Sequence, residues 1–462
     1  MSTGLRLPTR SIGLKFLLVC LLALAMGLSI LAVYAVMQER LNRSNAVRSE
    51  LGAAVGGAQT LTGPVLLVPF AKEVRQDDKI VTLQGEAIAF AETGAADAKL
   101  TTEIRKRGIF QVPTFTAGVD YTAAFDPKVT AAALAALDPG ARYDFSRARM
   151  VLGVTNTTGF LQEVALTLPN GQTRPFAPLA GGGASSPGVA DVSGMGLSPV
   201  GVAVGDLFGP NAAALTLKTS LTLTGAERFS MTPFAKNTTA TIQADWADPS
   251  FEGGFLPTKR NINAAGFTAS WDAPLVRRGV PEVGGDVGLL GQIANKDFAV
   301  RLVEPTTAYT GVDRALKFGL MFIGLVFLTY FMFEVVTGLR AHPAQYIMVG
   351  LSQATFYLLL LAFAERIGFD GAFMIAAGMT VAMIAGYVVI VFKKAKFFIP
   401  AFVAFVALYG LMYVLMQMED YALIVGSLTL FGALALLMLL TRKVDWYGEG
   451  ADKPATPPPA AA

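Results

Sequence analysis

The sequence predicts an α-helical membrane protein of six transmembrane helices, with a large all-β, sandwich-like periplasmic domain inserted after the first helix. Three observations lead there. Five apolar runs of membrane-spanning length lie between Arg314 and Tyr447, and a sixth lies between Ile12 and Met37. Residues 38–314, in between, have the composition of a soluble domain rich in Gly, Thr, Ala and Pro. That segment also carries hydrophobic residues at a period of two. A bilayer's hydrocarbon is about 30 Å thick and takes about 20 apolar residues to cross. Backbone groups in lipid must be satisfied within the chain, so each run is expected to be a helix.

Composition narrows the function classes. Of 462 residues, 53% are hydrophobic and the mean hydropathy is +0.51, an average over two unlike populations. A net charge of +3 with no basic cluster interleaved with aromatics argues against nucleic acid. One cysteine, Cys20, and one histidine, His342, exclude an intrachain disulfide and a Cys/His zinc site. They also argue against Cys-His or Ser-His-Asp catalysis. The chain contains no G-x-x-x-x-G-K-[ST] loop, H-E-x-x-H pair or G-x-S-x-G elbow. No catalytic residue, cofactor or metal site is predicted.

The first run reads as an uncleaved signal-anchor. Arg6, Arg10 and Lys15 form a basic lead, but the apolar stretch from Phe16 to Met37 outlasts a signal peptide's core of about 7–15 residues. Val19 is too large for the position before a lipoprotein cysteine, so Cys20 reads as a membrane-buried packing residue. The predicted spans are 12–37, 315–336, 346–364, 371–392, 397–416 and 420–441. Lys and Arg collect on the cytoplasmic side of short loops. Arg6 and Arg10, Arg340, the Lys393-Lys394-Lys396 group and Arg442-Lys443 fall on one side if both termini are cytoplasmic. The alternate loops carry Glu365, Arg366 and Asp370, then Glu419 and Asp420. The division is therefore 1–37 for the N-tail and first helix, 38–314 for the periplasmic domain, 315–443 for helices two to six, and 444–462 for a disordered cytoplasmic tail. Arg40, Arg43, Arg48, Arg314 and Lys317 oppose this locally, but long translocated domains weaken the rule.

Within 38–314, residues 39–58 read as a juxtamembrane helix ending at Gly56-Gly57. Leu215, Leu217, Thr219, Leu221 and Leu223 alternate with Thr216, Lys218, Ser220, Thr222 and Thr224, the mark of a half-buried strand. Ile242, Ala244 and Trp246 alternate in the same way, and Asn170-Gly171 marks a hairpin turn. Further strands are expected near 64–71, 79–91, 98–106, 117–125, 146–154, 227–234, 266–272 and 297–303. Lys128–Leu137 reads as a short helix, Gly181–Pro199 as a mobile loop, and Ala451–Ala462 as a tail unable to build a core.

A string of motifs runs through this organisation. Gly56-Gly57-Ala58-Gln59-Thr60-Leu61-Thr62-Gly63-Pro64 leads to Val68-Pro69-Phe70, and Arg107-Gly108-Ile109-Phe110-Gln111-Val112-Pro113 follows. Next come Trp246-Ala247-Asp248-Pro249-Ser250-Phe251-Glu252-Gly253-Gly254-Phe255-Leu256-Pro257 and Gly266-Phe267-Thr268-Ala269-Ser270-Trp271. The apolar part adds Phe331-Met332-Phe333-Glu334, His342-Pro343-Ala344-Gln345-Tyr346, Ala407-Leu408-Tyr409-Gly410, Glu419-Asp420-Tyr421-Ala422-Leu423 and Thr441-Arg442-Lys443-Val444-Asp445-Trp446-Tyr447. This string resembles the CreD family of bacterial inner-membrane proteins over nearly the whole chain. Phe70 stands where a Tyr is expected. The resemblance implies an inner-membrane location and a role in cell-envelope integrity and stress response. It transfers no catalytic residue.

Several residues are candidates for function. Glu334, near the cytoplasmic end of the second span, is costly in lipid and so draws attention. Its expected role is structural, paired with a base such as Arg340. Histidine is the side chain suited to sensing pH near neutrality, but His342 precedes Pro343, which favours a helix flank over a pH sensor. Trp246, Phe251, Phe255 and Trp271 could form a glycan platform, but a core layer is favoured. Glu419 and Asp420, with Glu365 and Asp370, offer oxygen ligands for a divalent ion, yet read better as loop acids. Gly378, Ala382 and Gly386 put small residues on one helix face, expected to pack within the molecule.

The favoured function is a non-enzymatic envelope-maintenance protein whose partners are the bilayer and a periplasmic component or membrane protein. One alternative is a transporter or lipid-handling protein using the last five helices. Another is an enzyme on a lipid-linked or cell-wall substrate, with Arg107, Glu252 and Arg260 as imaginable members.

Overall fold

The computed structural model describes residues 12–442 except 77–78, 109, 180–196, 210–211, 286–287, 295, 304–307, 338–340, 394 and 419–420. The chain divides into two compact units, Ser44–Pro305 and the pair Met1–Arg43 with Thr306–Ala462.

The first unit is β-rich. Its strands begin with β1 (Gln59–Gln76), β2 (Lys79–Ala89), β3 (Ala91–Arg107), β4 (Phe110–Phe125), β5 (Ala141–Tyr143) and β6 (Arg149–Val154). They continue with β7 (Ala165–Thr167), β8 (Thr173–Pro175), β9 (Ala177–Pro178), β10 (Ser198–Ala203), β11 (Leu215–Ala226) and β12 (Arg228–Thr232). The last are β13 (Ala235–Ala244), β14 (Pro249–Glu252), β15 (Lys259–Asn263), β16 (Gly266–Ala273), β17 (Val283–Gly284) and β18 (Phe298–Leu302). One sheet runs β14-β18-β12-β1-β6-β10-β9, with β2, β5 and β17 attached along β1 and β2. The other runs β15-β16-β13-β3-β4-β11-β7-β8. Pairing is antiparallel except for β1 with β12 and β3 with β13.

The period-two sequence pattern sets which faces are buried. Along β11, Leu217, Thr219, Leu221 and Leu223 are buried, while Thr216, Lys218 and Ser220 are exposed. The buried faces of both sheets contribute to a single core, with Leu66, Val151, Phe229 and Val300 from one and Val119, Leu221, Ile242 and Trp271 from the other. Phe115 and Phe229 meet edge to face at 5.7 Å across it. The Asn170-Gly171 turn joins β7 to β8, with Gly171 at φ 82°. Helix α2 (Pro127–Leu137) starts where Asp126 accepts hydrogen bonds from the Lys128 and Val129 amides, an N-cap followed by Pro at the first helical position. Helical turns α3 (Leu275–Arg278) and α4 (Gly288–Ala294) lie late in the unit. Of the predicted loop Gly181–Pro199, residues 181–196 lie outside the described residues, and Ser198 and Pro199 open β10 instead. The predicted 444–462 tail also lies outside them.

The second unit is helical: α5 (Ala308–Lys317), α6 (Gly319–Thr337), α7 (Pro343–Phe392), α8 (Phe398–Gln417) and α9 (Ala422–Thr441). Helix α1 (Ile12–Ala53) is continuous and contributes residues to both units. Among the described residues, Gly13–Ala53, Pro343–Phe392 and Ala395–Gln417 are long and apolar enough to cross a membrane. Tyr309–Lys317 and Gly319–Val335 make a fourth if this pair, bent by 57°, is one span. Helix α7 contains both predicted runs 346–364 and 371–392. Its 50 residues break at Gly368, whose φ 78° and ψ 169° lie outside the helical region. Unbroken, they would extend about 75 Å, more than twice a bilayer core. Instead Phe356 and Phe373 meet edge to face at 5.7 Å, so the chain doubles back.

Two expectations need correction here. Cys20 is exposed on α1 and takes no part in the bundle's core. Gly378 and Ala382 also face outward, and a side chain added at Gly378 or Gly386 would meet nothing within 4 Å. This half of α7 packs through Phe373, Ala377, Thr380 and Ile384, and the stripe of small residues falls on the other side.

Candidate functional site

In the helical unit several polar side chains are buried, Glu334, Ser352, Gln353 and Thr380 among them. Lys15 on α1 donates to Glu334 Oε1 on α6 and, at 2.7 Å, to the Ala341 carbonyl. The Tyr346 hydroxyl donates to Glu334 Oε2 at 2.8 Å. Glu334 is thus buried and held by a cation from a helix 319 residues earlier in the chain. The base expected beside it, Arg340, lies outside the described residues. Two acceptor oxygens meeting two donors satisfy the carboxylate, which is how a buried charge becomes tolerable.

His342 is the N-cap of α7. Its Nδ1 accepts from the Ala344 amide at 3.2 Å, and Gln345 Oε1 accepts from the His342 amide at 2.8 Å. These two bonds form a reciprocal capping box that satisfies two backbone donors at the helix start.

Deeper in the bundle, the Tyr409 hydroxyl donates to Gln353 Oε1 at 3.0 Å. Among the described residues, Gln353 Nε2, Tyr357 Oη and Tyr330 Oη are buried with no hydrogen-bond partner. Of the loop acids, Glu365 and Asp370 take separate partners. Glu365 accepts from the Tyr309 hydroxyl at 3.0 Å and faces Arg40 at 3.8 Å, whereas Asp370 accepts from the Tyr413 hydroxyl and Gln417 Nε2, both at 3.0 Å. Glu419 and Asp420 lie outside the described residues. No cluster suited to a metal ion occurs among the described residues.

In the β-rich unit the aromatic candidates are placed as core. Trp271 is 2% exposed, donates its indole N–H to the Phe255 carbonyl at 2.9 Å, and packs edge to face against Phe251 at 6.0 Å. Trp246 is half-buried and donates to the Asp248 and Val303 carbonyls. The buried Trp271 indole presents no free face as a platform.

The imagined basic and acidic trio is not assembled. Arg107 pairs with Glu50 at 2.6 Å. Glu252 pairs with Arg301 at 2.7 Å and Arg228 at 3.7 Å, and Arg260 sits exposed on β15. Arg228 also binds Asp297.

Sequence reasoning missed the most buried cation of this unit. Arg278 is fully buried and donates to the carbonyls of Ala235, Val280 and Pro281, with its guanidinium 4.3 Å above the Phe90 ring. Burial pulls its pKa down to about 10, with Glu282 acting against the fall. Lys236 pairs with the same carboxylate: burial works to lower its pKa, but Glu282 and Glu92 bind the ammonium and raise it overall.

The family model described as Inner membrane protein CreD matches residues 11–447. The chain belongs to the CreD family. The Escherichia coli (strain K12) protein named Inner membrane protein CreD is 31% identical over 425 residues, which covers 90% of this chain and 90% of its own. Among solved structures, a putative protease from Parabacteroides distasonis shares 10% identity over 57% of this chain and 50% of its own, with a TM-score of 0.19. A likeness that slight carries no argument about fold or activity.

The family's motif residues take structural places in this member. Gly253, at φ 91°, turns the chain against the Asp297 backbone, where a Cβ would collide. Gly266, at φ 139°, lies equally close to the Ala244 carbonyl at the start of β16. Both positions need the freedom that glycine has at positive φ. Gln59 donates from Nε2 to the carbonyls of Gly56, Asn156 and Thr224, joining three segments. The chain is a membrane protein with apolar helices able to span a bilayer and a large β-rich region.

Proposed function

We propose that this protein supports cell-envelope integrity from the inner membrane without catalysing a reaction, and that its β-rich unit binds or organises a periplasmic component. In this reading α1, α6, the two halves of α7, α8 and α9 make six spans. Both termini are cytoplasmic, residues 38–314 are periplasmic, residues 315–443 hold spans two to six, and residues 444–462 form the cytoplasmic tail. The β-rich unit is a two-layer sandwich. The observation that carries the reading is a β-rich unit of this size, Ser44–Pro305, inserted between membrane-type helices in a chain whose relative is named an inner membrane protein. Most of the surface able to meet a partner in water then belongs to that unit.

The test is a deletion of residues 60–300 that keeps all six spans. It is expected to insert and fail to restore tolerance to detergents and cell-wall antibiotics in a strain lacking the protein. Reporter fusions after Lys396 and Glu419 should report opposite sides of the membrane. Full tolerance from the deleted chain would place the function in the helices and favour the transporter alternative. That alternative draws on the unpartnered polar atoms of Gln353 and Tyr357 in the bundle.

A further inference from the structure

The second sheet carries an open groove on its solvent face, lined in part by the motif residues Gly266, Phe267 and Thr268. Its volume is about 340 Å³, and it runs across β15, β16, β13 and β3. Strand register builds it. Asn261 stands opposite Thr268, Thr268 opposite Gln243, and Gln243 opposite Lys99. These four side chains form one row, and all are exposed. Neighbouring strands lie about 4.8 Å apart, so the row extends about 14 Å, the scale of a short oligosaccharide. Beside it, Asn263, Asp245 and Thr101 line the groove, and Gly266 contributes no side chain between the first two. Among the described residues, the side chains of Lys99, Thr101, Gln243, Asn261 and Thr268 have no hydrogen bond or ion pair within the chain.

We propose that this groove binds a neutral oligosaccharide through the amide and hydroxyl side chains of Asn261, Thr268, Gln243 and Thr101. The chemistry of the lining decides the class of ligand. Amides and hydroxyls both donate and accept, which suits a chain of hydroxyl groups that do the same. One cation, Lys99, stands against one anion, Asp245, whose Oδ1 already accepts from the Thr102 amide at 2.8 Å. A nucleic acid strand would need several cations along its phosphates. A lipid would need apolar wall, yet the two large apolar side chains here, Leu100 and Phe267, are buried beneath the sheet. An extended peptide adds to a strand edge and fills pockets with alternate side chains. This groove lies on the sheet's face and offers no such pockets.

The inference rests on the proposed role of the β-rich unit in meeting an envelope component. Its test uses the full chain in detergent micelles, with tetra-N-acetylchitotetraose and cellotetraose as probes and saturation-transfer NMR as the readout. Saturable binding of at least one probe is expected. Gln243→Ala and Asn261→Ala should each raise its Kd about three- to tenfold, the size of one lost hydrogen bond. Ile80→Ala, on the distant exposed part of β2, should leave Kd unchanged. The proposal is overturned if neither sugar binds, if both groove variants bind as tightly as wild type, or if an unstructured decapeptide competes the sugar away. The two readings separate cleanly. Absent sugar binding, with the 60–300 deletion still inactive in cells, removes the groove and leaves the unit's role intact. Sugar binding lost in a double variant that still restores tolerance keeps the groove and removes its link to the envelope.

Discussion

The helical and β-rich units both bury apolar side chains but turn opposite chemistries outward. On the helices, Leu17, Leu21, Leu24, Leu28, Leu31, Ile390, Ile399 and Phe431 point outward, while Glu334, Ser352, Gln353 and Thr380 are inside. In the β-rich unit, Leu217, Leu221, Ile242 and Trp271 are inside and the alternate polar side chains face out. Water drives apolar surface inward, which explains the sheets. Lipid tails are as apolar as Leu, so helices in a membrane gain little by hiding it and associate through packing and polar contacts instead. The two units also hold their cations differently. Lys15 meets a carboxylate, Glu334, across the bundle, whereas Arg278 is satisfied by backbone carbonyls of its own neighbourhood.

The Lys15–Glu334 pair gives the largest expected effect. If the pair ties α1 to the bundle, Glu334→Lys sets two ammonium groups against each other and leaves the Tyr346 hydroxyl without its acceptor. Like charges then meet at a position where Glu334 is buried, which should appear as a severe loss of membrane-inserted protein on an immunoblot. The exchange of both charges, Lys15→Glu with Glu334→Lys, should recover much of it. Glu334→Gln keeps the shape and an acceptor for Lys15, and is expected to leave abundance and envelope tolerance near wild type. An abundant Gln variant with a null phenotype would move Glu334 from structure to transport. If the charge exchange rescues nothing, the comparison loses its paired cation.

A second experiment asks whether outward-facing residues in the two units meet different solvents. Leu28 is 68% exposed on α1, and Val276 is 93% exposed on α3. A charge at the middle of a membrane helix costs about 2.5–3.5 kcal/mol for insertion. A surface substitution in a water-facing domain usually stays within about 0.5 kcal/mol. Leu28→Asp should therefore reduce insertion sharply, while Val276→Asp leaves insertion and thermal stability nearly unchanged. Equal effects at the two positions would break the comparison.

How much of this was legible in the sequence follows from the reach of each interaction. The β11 alternation and the Asn170-Gly171 turn are local, and both are readable from consecutive residues. The β1 strand is longer than its apolar run suggests, because Gly63-Pro64 and the charged Lys72, Glu73 and Arg75 mask a strand whose length is set by pairing with β2. The break at Gly368 falls in the charged loop expected between the runs 346–364 and 371–392, where Glu365, Arg366 and Asp370 mark it in the sequence. Glu334 could be recognised from depth in an apolar stretch. The partner Lys15 could not, because it stands 319 residues away in the chain and only the folded bundle brings it to Glu334. The groove is the extreme case. Asn261, Thr268, Gln243 and Lys99 come from four strands, and only the register of three pairings aligns them.

The smallest expected effect belongs to an exposed ion pair of the β-rich unit, and it sharpens the contrast with Lys15–Glu334. Arg174 holds Asp206 through two hydrogen bonds, at 2.7 and 2.6 Å. The Arg174 hydrogen bonds lower the Asp206 pKa, with burial acting against them. An unfolded aspartate titrates near about 3.9. A folded pKa below that value means the folded state holds the charged form more strongly, so the pair's contribution is fully present above pH of about 4. The contribution is lost as pH falls through the lower, folded value. Because the Asp206 side chain is 58% exposed, solvent and salt screen the pair, and the effect should be about 0.2–1 kcal/mol. Thermal melts of the full chain and of Asp206→Asn should differ by a small margin at pH 7 and converge toward pH 3. In 1 M salt the margin at pH 7 should shrink, since the screening length falls to about 3 Å. A margin that widens on acidification would reverse the sign and show that the carboxylate is strained by its surroundings.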